Sequence, residues 1–231
     1  MVVDLVEKLL RFQEVSKIII TVNITEEIVY PPDERIITIN NLVPRGFGEN
    51  HNSAFKFVAE PWFVVINPDV TLLENPFKEL IRVAQETGAA LISPKALTPA
   101  FEMEDNWRYF PTIISLFLKF LGHADGRYPV VHNSNSAFPV DWVSGLCMLF
   151  SSGSFRSLNG FDPKYYMYYE DVDICWRIWR GDMKVMACPS VAVVHDARRE
   201  SRRSLRYMRW HAQSMIRFLI TKSWRDPRAD S

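Results

Sequence analysis

The segment Trp62–Ile66 (WFVVI) is apolar at every position and runs directly into Asn67-Pro68-Asp69. A strand with one face in water alternates apolar and polar side chains, so a run without alternation must be covered on both faces. Such a strand needs helices on either side of its sheet, which confines the chain to α/β architectures. The neighbouring segments agree. Residues 4–14 have helical spacing, with Leu5, Val6, Leu9 and Leu10 on one face, while residues 17–22 (KIIITV) and 35–39 are β-branched strands. Residues 49–59 predict another helix. Asn75-Pro76 opens a helix that stops at Gly88, following the preference for proline just inside a helix and glycine just past it. Residues 89–92 return to strand, so strand and helix alternate and the first hundred residues predict a parallel sheet.

Residues 93–139 differ, being rich in turn residues around one apolar helix, 112–121. Beyond them the pattern predicts a long strand over 140–150 and a helix over Glu170–Arg180 ending at Gly181. Two short strands follow within 183–194, interrupted by Pro189, and a basic amphipathic helix spans 201–221. No segment repeats and none is of low complexity.

Composition narrows the function classes. A chain of 231 residues that is 48% hydrophobic and 13% aromatic buries roughly 70% of its unfolded surface, which excludes global disorder. The 27 basic residues balance 27 acidic ones, which argues against a nucleic-acid binder; any basic function has to come from local clustering. Cys147, Cys175 and Cys188 are too few and too scattered for a disulfide scaffold or a four-cysteine zinc site, and read as small buried residues in a reducing compartment. The N-terminal MVVDLVEKLL carries no basic region ahead of a long apolar run, so no signal peptide is expected. The longest apolar stretch, 110–121, contains Pro111 and Lys119 and falls short of the about 20 residues that span a bilayer. The expectation is a protein that is soluble or lies on a membrane.

Four features carry polar chemistry. Asp69 ends the buried strand, where sheet proteins bind ligands, and its hard oxygens suit Mg²⁺ or Mn²⁺ against a diphosphate; Asn-Pro-Asp is equally a good turn. Glu170, Asp171 and Asp173 open a helix after Tyr165-Tyr166-Met167-Tyr168-Tyr169. The helix dipole favours acids there, but three in four positions exceed what capping needs, and the aromatic faces suit either a core or a sugar. His195 ends the strand at 191–194 and matters only if Asp69 holds a metal. Arg198, Arg199, Arg202, Arg203, Arg206 and Arg209 form either a solvated helix face or a phosphate clamp.

The order of these pieces resembles the family 2 glycosyltransferases, most nearly the rhamnosyltransferase-like branch that builds bacterial surface polysaccharides. The resemblance runs through GFGENHN (46–52), VVINPDV, VDWVSGLCMLF, NGFDPKYYMYYEDVDICWRIWRGDMKV and VVH, and covers residues 17 to about 204. It implies a GT-A fold: a Rossmann-like, mixed, mostly parallel sheet flanked by helices, in one domain of three parts. Residues 1–95 would bind the nucleotide sugar, 96–200 the acceptor, and 201–231 form the basic C-terminal helix. Asp69 would hold the metal with His195. Asp171 would be the base of an inverting transfer, with Glu170 beside it. Asn23, Gly46, Asn52, Asn67 and Asp69 would contact the donor, and Trp142, Tyr168, Tyr169 and Asp173 the acceptor. The chain departs from the family in two places. The usual first strand is missing, so that the chain opens on the following helix, and Val22 stands where an aspartate often contacts the base.

The implied partners are a nucleotide-sugar donor, with rhamnose as one sugar, and a saccharide or lipid-linked acceptor, without nucleic acid. The implied location is the cytoplasm, with the apolar residues 113–121 and the arginine-rich stretch making peripheral contact with the inner face of a bacterial plasma membrane. The same apolar residues suit a core or a homodimer interface. Two other readings stay open: a degenerate homologue that binds sugar or a partner without turnover, and a nucleotidyltransferase.

Overall fold

The computed structural model describes residues 1–24, 26–123, 126–128, 135–196 and 205–222. Helix α1 (Val2–Leu10) buries Leu5, Val6 and Leu9 and stops earlier than its apolar spacing predicts. Strands β1 (Ile18–Val22) and β2 (Ile36–Asn40) pair in parallel as a two-stranded sheet of their own. Helix α2 (Phe47–Phe55) starts from Gly46. Next come β3 (Trp62–Ile66), the short β4 (Val70–Leu72) and α3 (Phe77–Thr87). Asn75 Oδ1 accepts from the Phe77 amide at 3.0 Å, and Gly88 ends α3 in the left-handed conformation.

Strand β5 (Ala89–Leu97), β6 (Trp107–Arg108) and helix α4 (Ile113–Phe120) follow; α4 is opened by a reciprocal Thr112–Ser115 capping box. The remaining elements are β7 (Phe138–Pro139), β8 (Trp142–Val143), β9 (Cys147–Ser151), α5 (Ser152–Ser157), α6 (Glu170–Arg180), β10 (Lys184–His195) and α7 (Leu205–Lys222).

The main sheet has six strands, in the order β3-β9-β5-β10-β4 with β7 also on β10. It is buried on both faces. Leu80, Val83 and Ala84 of α3 cover one face, and Ile174, Cys175 and Ile178 of α6 cover the other. This is the helix-flanked mixed sheet of an α/β protein. The parallel pairing expected for the first hundred residues is corrected in one respect: β3 and β5 point the same way but do not touch. Strand β9 lies between them, antiparallel to both, and β5 with β10 is the parallel pair of this sheet. The cause is a turn at Ser144, Gly145 and Leu146, which splits the expected strand 140–150 and sends its second half back through the sheet. The two strands expected within 183–194 are one. Pro189 is tolerated because the register with β5 slips between Cys188 and Ala192, where no ladder amide is needed.

The β1-β2 sheet is not hydrogen-bonded to the main one. Two cavities lie between them, of about 610 and 420 Å³, both lined by β1 (Ile18 and Ile19 among others) and by β3 (Ile66 in both). All three cysteines are buried and free. Among the described residues no helix is long and apolar enough to cross a membrane. Arg198, Arg199, Arg202, Arg203 and the start of the expected helix at 201–204 lie outside the described residues.

Candidate active site

Asp69 and His195 meet because the chain doubles back at the end of β3. The Val70 amide donates to Asn67 O at 3.1 Å, closing a tight turn, and β4 then runs antiparallel to β10 with Val70 opposite His195. The Asp196 amide donates to Asp69 O at 3.0 Å and locks the register. His195 Nε2 stands 3.4 Å from Asp69 Oδ2, and Nδ1 lies 2.8 Å from Glu104 Oε2. The hydrogen-bonding carboxylate of Asp69, with help from Glu104, lifts the imidazole to about 8 against the effect of burial. Asp69 Oδ1 is buried without a hydrogen-bond partner. An orphaned carboxylate oxygen beside an imidazole nitrogen is a donor pair that fits a divalent cation. Among the described residues no group of three or more His, Cys, Asp and Glu side chains is arranged as a metal cage, so Asp69 and His195 make a partial ligand set.

Asp69 and Asn67 form one wall of the 610 Å³ cavity, whose other walls come from α1, β1 and Phe47, Asn50 and His51 of α2. Asn23 also lines it. Its side chain accepts from the Arg45 amide (2.8 Å) and from Asn41 Nδ2 (3.0 Å), and donates to Arg45 O (3.0 Å). Asn41 in turn donates to Asn50 Oδ1 at 2.8 Å, so three asparagines pin the loop at the rim. His51 is pushed down to about 4 by burial and packs edge-on against Phe47, which keeps it neutral. Two expected donor contacts do not face this cavity. Asn52 grips the Phe161 backbone, donating to its O at 2.8 Å and accepting from its N at 2.9 Å. Gly46 passes so close to Tyr166 that a Cβ there would sit 2.4 Å from Tyr166 O. Asn52 thus ties α2 to Phe161, and Gly46 brings its start against Tyr166.

The acids at the start of α6 occupy a second cavity of about 230 Å³, lined by Arg108, Lys119, Trp142, Tyr168, Tyr169 and His211 among others. Tyr168 and Tyr169 have φ of 68° and 66°. Left-handed conformations of this kind are sparsely populated by bulky residues and cost about 1–3 kcal/mol each, and they concentrate at functional sites. Here they turn the chain sharply into α6, so that Glu170 and Asp171 face the cavity. Asp171 Oδ2 accepts from the Gly145 amide (3.1 Å) and Oδ1 from the Val172 amide (2.8 Å), yet burial still raises its carboxyl to about 6. Glu170 is raised well above the ordinary range by burial and by the neighbouring Asp171, and its Oε2 is buried without a partner. Trp142 lines the cavity and donates Nε1 to Tyr109 O at 2.9 Å. Asp173 is the exception. It is fully buried, 2.7 Å from Arg177 Nε and bonded to Lys222, so the expected acceptor contact is corrected to an ion pair joining α6 to α7.

One turn connects the two cavities. Gly145 donates to Asp171 on one side, and Leu146 O accepts from the Asn67 amide at 2.9 Å on the other. Buried Asn106 holds the turn, with Oδ1 accepting from the Ser144 hydroxyl and Nδ2 donating to Pro94 O at 2.8 Å. The turn therefore hydrogen-bonds to Asp171 of the buried acid pair and to Asn67, two residues before Asp69. The Glycosyltransferase like family 2 model matches residues 17–212. The chain belongs to this family. It is thus a glycosyltransferase by family. It is 27% identical to the rhamnosyltransferase WbbL of Escherichia coli (strain K12) over 188 residues, covering 77% of this chain and 71% of that protein. It is 28% identical to the N-acetylglucosaminyl-diphospho-decaprenol L-rhamnosyltransferase of Mycobacterium tuberculosis (strain CDC 1551 / Oshkosh) over 192 residues, 78% of this chain and 62% of the relative. The crystal structure of GalNAc-T7 with UDP, GalNAc and Mn²⁺ superposes with a TM-score of 0.64 at 12% identity, covering 80% of this chain and 38% of that one, a likeness of fold.

Glu104, Asn106, Gly145 and Asn50 were not legible as site residues. Glu104 stands among Glu102 and Asp105 in a turn-rich stretch, and nothing local separates it from them.

Proposed function

We propose that this chain is an inverting, metal-dependent transferase within a single GT-A domain, moving a sugar such as rhamnose from a nucleotide-sugar donor to a saccharide or lipid-linked acceptor. The observation that carries the reading is the shared turn at 144–146, with Asp69 and His195 on one side and Asp171 on the other. The donor lies in the larger cavity with its diphosphate toward Asp69. Asp69 and His195 would hold a Mg²⁺ or Mn²⁺ ion, which would supply charge neutralisation for the departing diphosphate. The acceptor lies in the smaller cavity against Trp142, Tyr168 and Tyr169. Asp171 takes the proton of the acceptor hydroxyl, whose oxygen bonds to the anomeric carbon. The bond from that carbon to the diphosphate oxygen breaks, and the electron pair leaves with the nucleotide. The test is a mass-spectrometric screen of nucleotide sugars for turnover and thermal stabilisation, with and without Mn²⁺. Metal-dependent stabilisation by one donor, abolished in Asp69→Ala, is expected; stabilisation without turnover for any acceptor would leave a binding homologue.

The acceptor side also supports peripheral membrane contact. Ser115, Leu116 and Lys119 of α4 line the smaller cavity, while Ile114 and Phe117 on the same helix are 72% and 62% exposed. An apolar helix face beside a cation adds two weak anchors for an anionic surface. Arg206 stacks on Trp210 at 4.9 Å. Pelleting with anionic liposomes at low salt, reduced in Ile114→Asp/Phe117→Asp, is the expected outcome of co-sedimentation. Wild-type chain left in the supernatant would reject the contact.

A further inference from the structure

We infer that Glu104 is a positioning residue for His195: its carboxylate takes the Nδ1–H bond and leaves the lone pair of Nε2 aimed at a divalent cation held with Asp69. The inference rests on the metal reading above. Its geometric basis is independent of the motif residues. Glu104 reaches the site from the segment between β5 and β6, fixed there by its own amide, which donates to Ala96 O at 2.9 Å. Its Oε2 meets Nδ1 at 2.8 Å, on the opposite side of the ring from Asp69. It is therefore placed behind the imidazole and not as a ligand.

An imidazole has two nitrogens, and a metal needs one of them bare. A free histidine divides its proton between the two and turns about its side-chain torsions. A carboxylate on Nδ1 selects one tautomer, fixes the ring plane and makes Nε2 a better donor; losing such a partner typically lowers metal affinity about 10–100-fold. His195 and Glu104 are both mostly buried, with side-chain exposures of 15% and 19%, so water competes weakly for the bond. The alternative is a plain clamp, in which His195 is wedged between two carboxylates to hold β10 against the 98–104 turn. The two differ in what the metal sees.

Mn²⁺ binding to the full chain, followed by electron paramagnetic resonance alone and with UDP, separates them. Asp69→Ala, Glu104→Ala and Glu104→Gln are compared with wild type, with melting temperature and the amide NMR spectrum recorded alongside. Glu104→Ala should weaken Mn²⁺ binding about 10-fold or more. Glu104→Gln should recover part of it, because its amide oxygen still accepts from Nδ1–H. Equal Mn²⁺ affinity in Glu104→Ala and wild type, with binding lost in Asp69→Ala, would overturn the role of Glu104 and leave the metal site standing. Loss of affinity in Glu104→Ala with no recovery in Gln, and with displaced β10 amide signals, would also overturn it in favour of the clamp. Wild-type Mn²⁺ affinity in Asp69→Ala as well would refute the metal reading together with this one.

Discussion

Asp171 accepts two backbone hydrogen bonds that favour its ionised form, yet burial outweighs them and its carboxyl titrates near 6. A base must be unprotonated to work, so turnover should fall as pH drops through about 6, by up to tenfold per unit. The same limb should be absent from donor binding measured by calorimetry. Asp171→Asn keeps the shape and removes the charge; kcat should drop about 100-fold or more while the donor dissociation constant stays near wild type. Near-normal turnover in that variant would move the role to Glu170. At this scale the sequence was legible where order and chemistry coincide, as with Asp69, Asp171 and His195 marking strand and helix ends. It was illegible at Gly46, Asn52 and Asp173, because what each touches, Tyr166, Phe161 and Lys222, is remote along the chain. No local pattern distinguishes a side chain that grips backbone from one that grips a ligand.

Helix α6 shows how an element is aimed. Its start is set by two left-handed tyrosines, and its far side is held by the Asp173–Arg177 and Asp173–Lys222 ion pairs. Its apolar stripe was readable, and its boundaries match the sequence reading at both ends. Strand β9 was not readable in the same way: a fully apolar run shows that a strand is buried but not which neighbours it has or which way it runs. Contact between α2 and the tyrosine segment depends on Gly46, whose amide neighbour Phe47 donates to Tyr166 O at 3.0 Å. Gly46→Ala would put a methyl group 2.4 Å from that oxygen, so the two backbones must part. Overpacking of this kind costs typically about 1–3 kcal/mol. A lower melting temperature is expected, with a larger loss of turnover than of donor binding, since Tyr168 to Asp171 would move with the displaced segment. Unchanged stability and turnover would show that the close approach is not needed.

At the scale of the whole molecule, α/β class and helix cover on both faces were legible from one apolar pentapeptide, whereas the split into two sheets was not, because strand patterns carry no record of their partners. That split has a kinetic consequence. In β1 the Ile18 amide donates to the O of Arg35, the residue just before β2, so by alternation the amides of Ile19 and Thr21 point the other way, toward the cavities that separate β1 from β3. Ile19 and Thr21 should exchange their amide hydrogens for deuterium much faster than Ile18 and Ile20, although all four sit in one strand; equal protection along β1 would mean that the gap is closed in solution. An apolar strand whose outward amides exchange freely is also a template on which another extended chain can grow. Concentrated samples should therefore associate through β1 and β3.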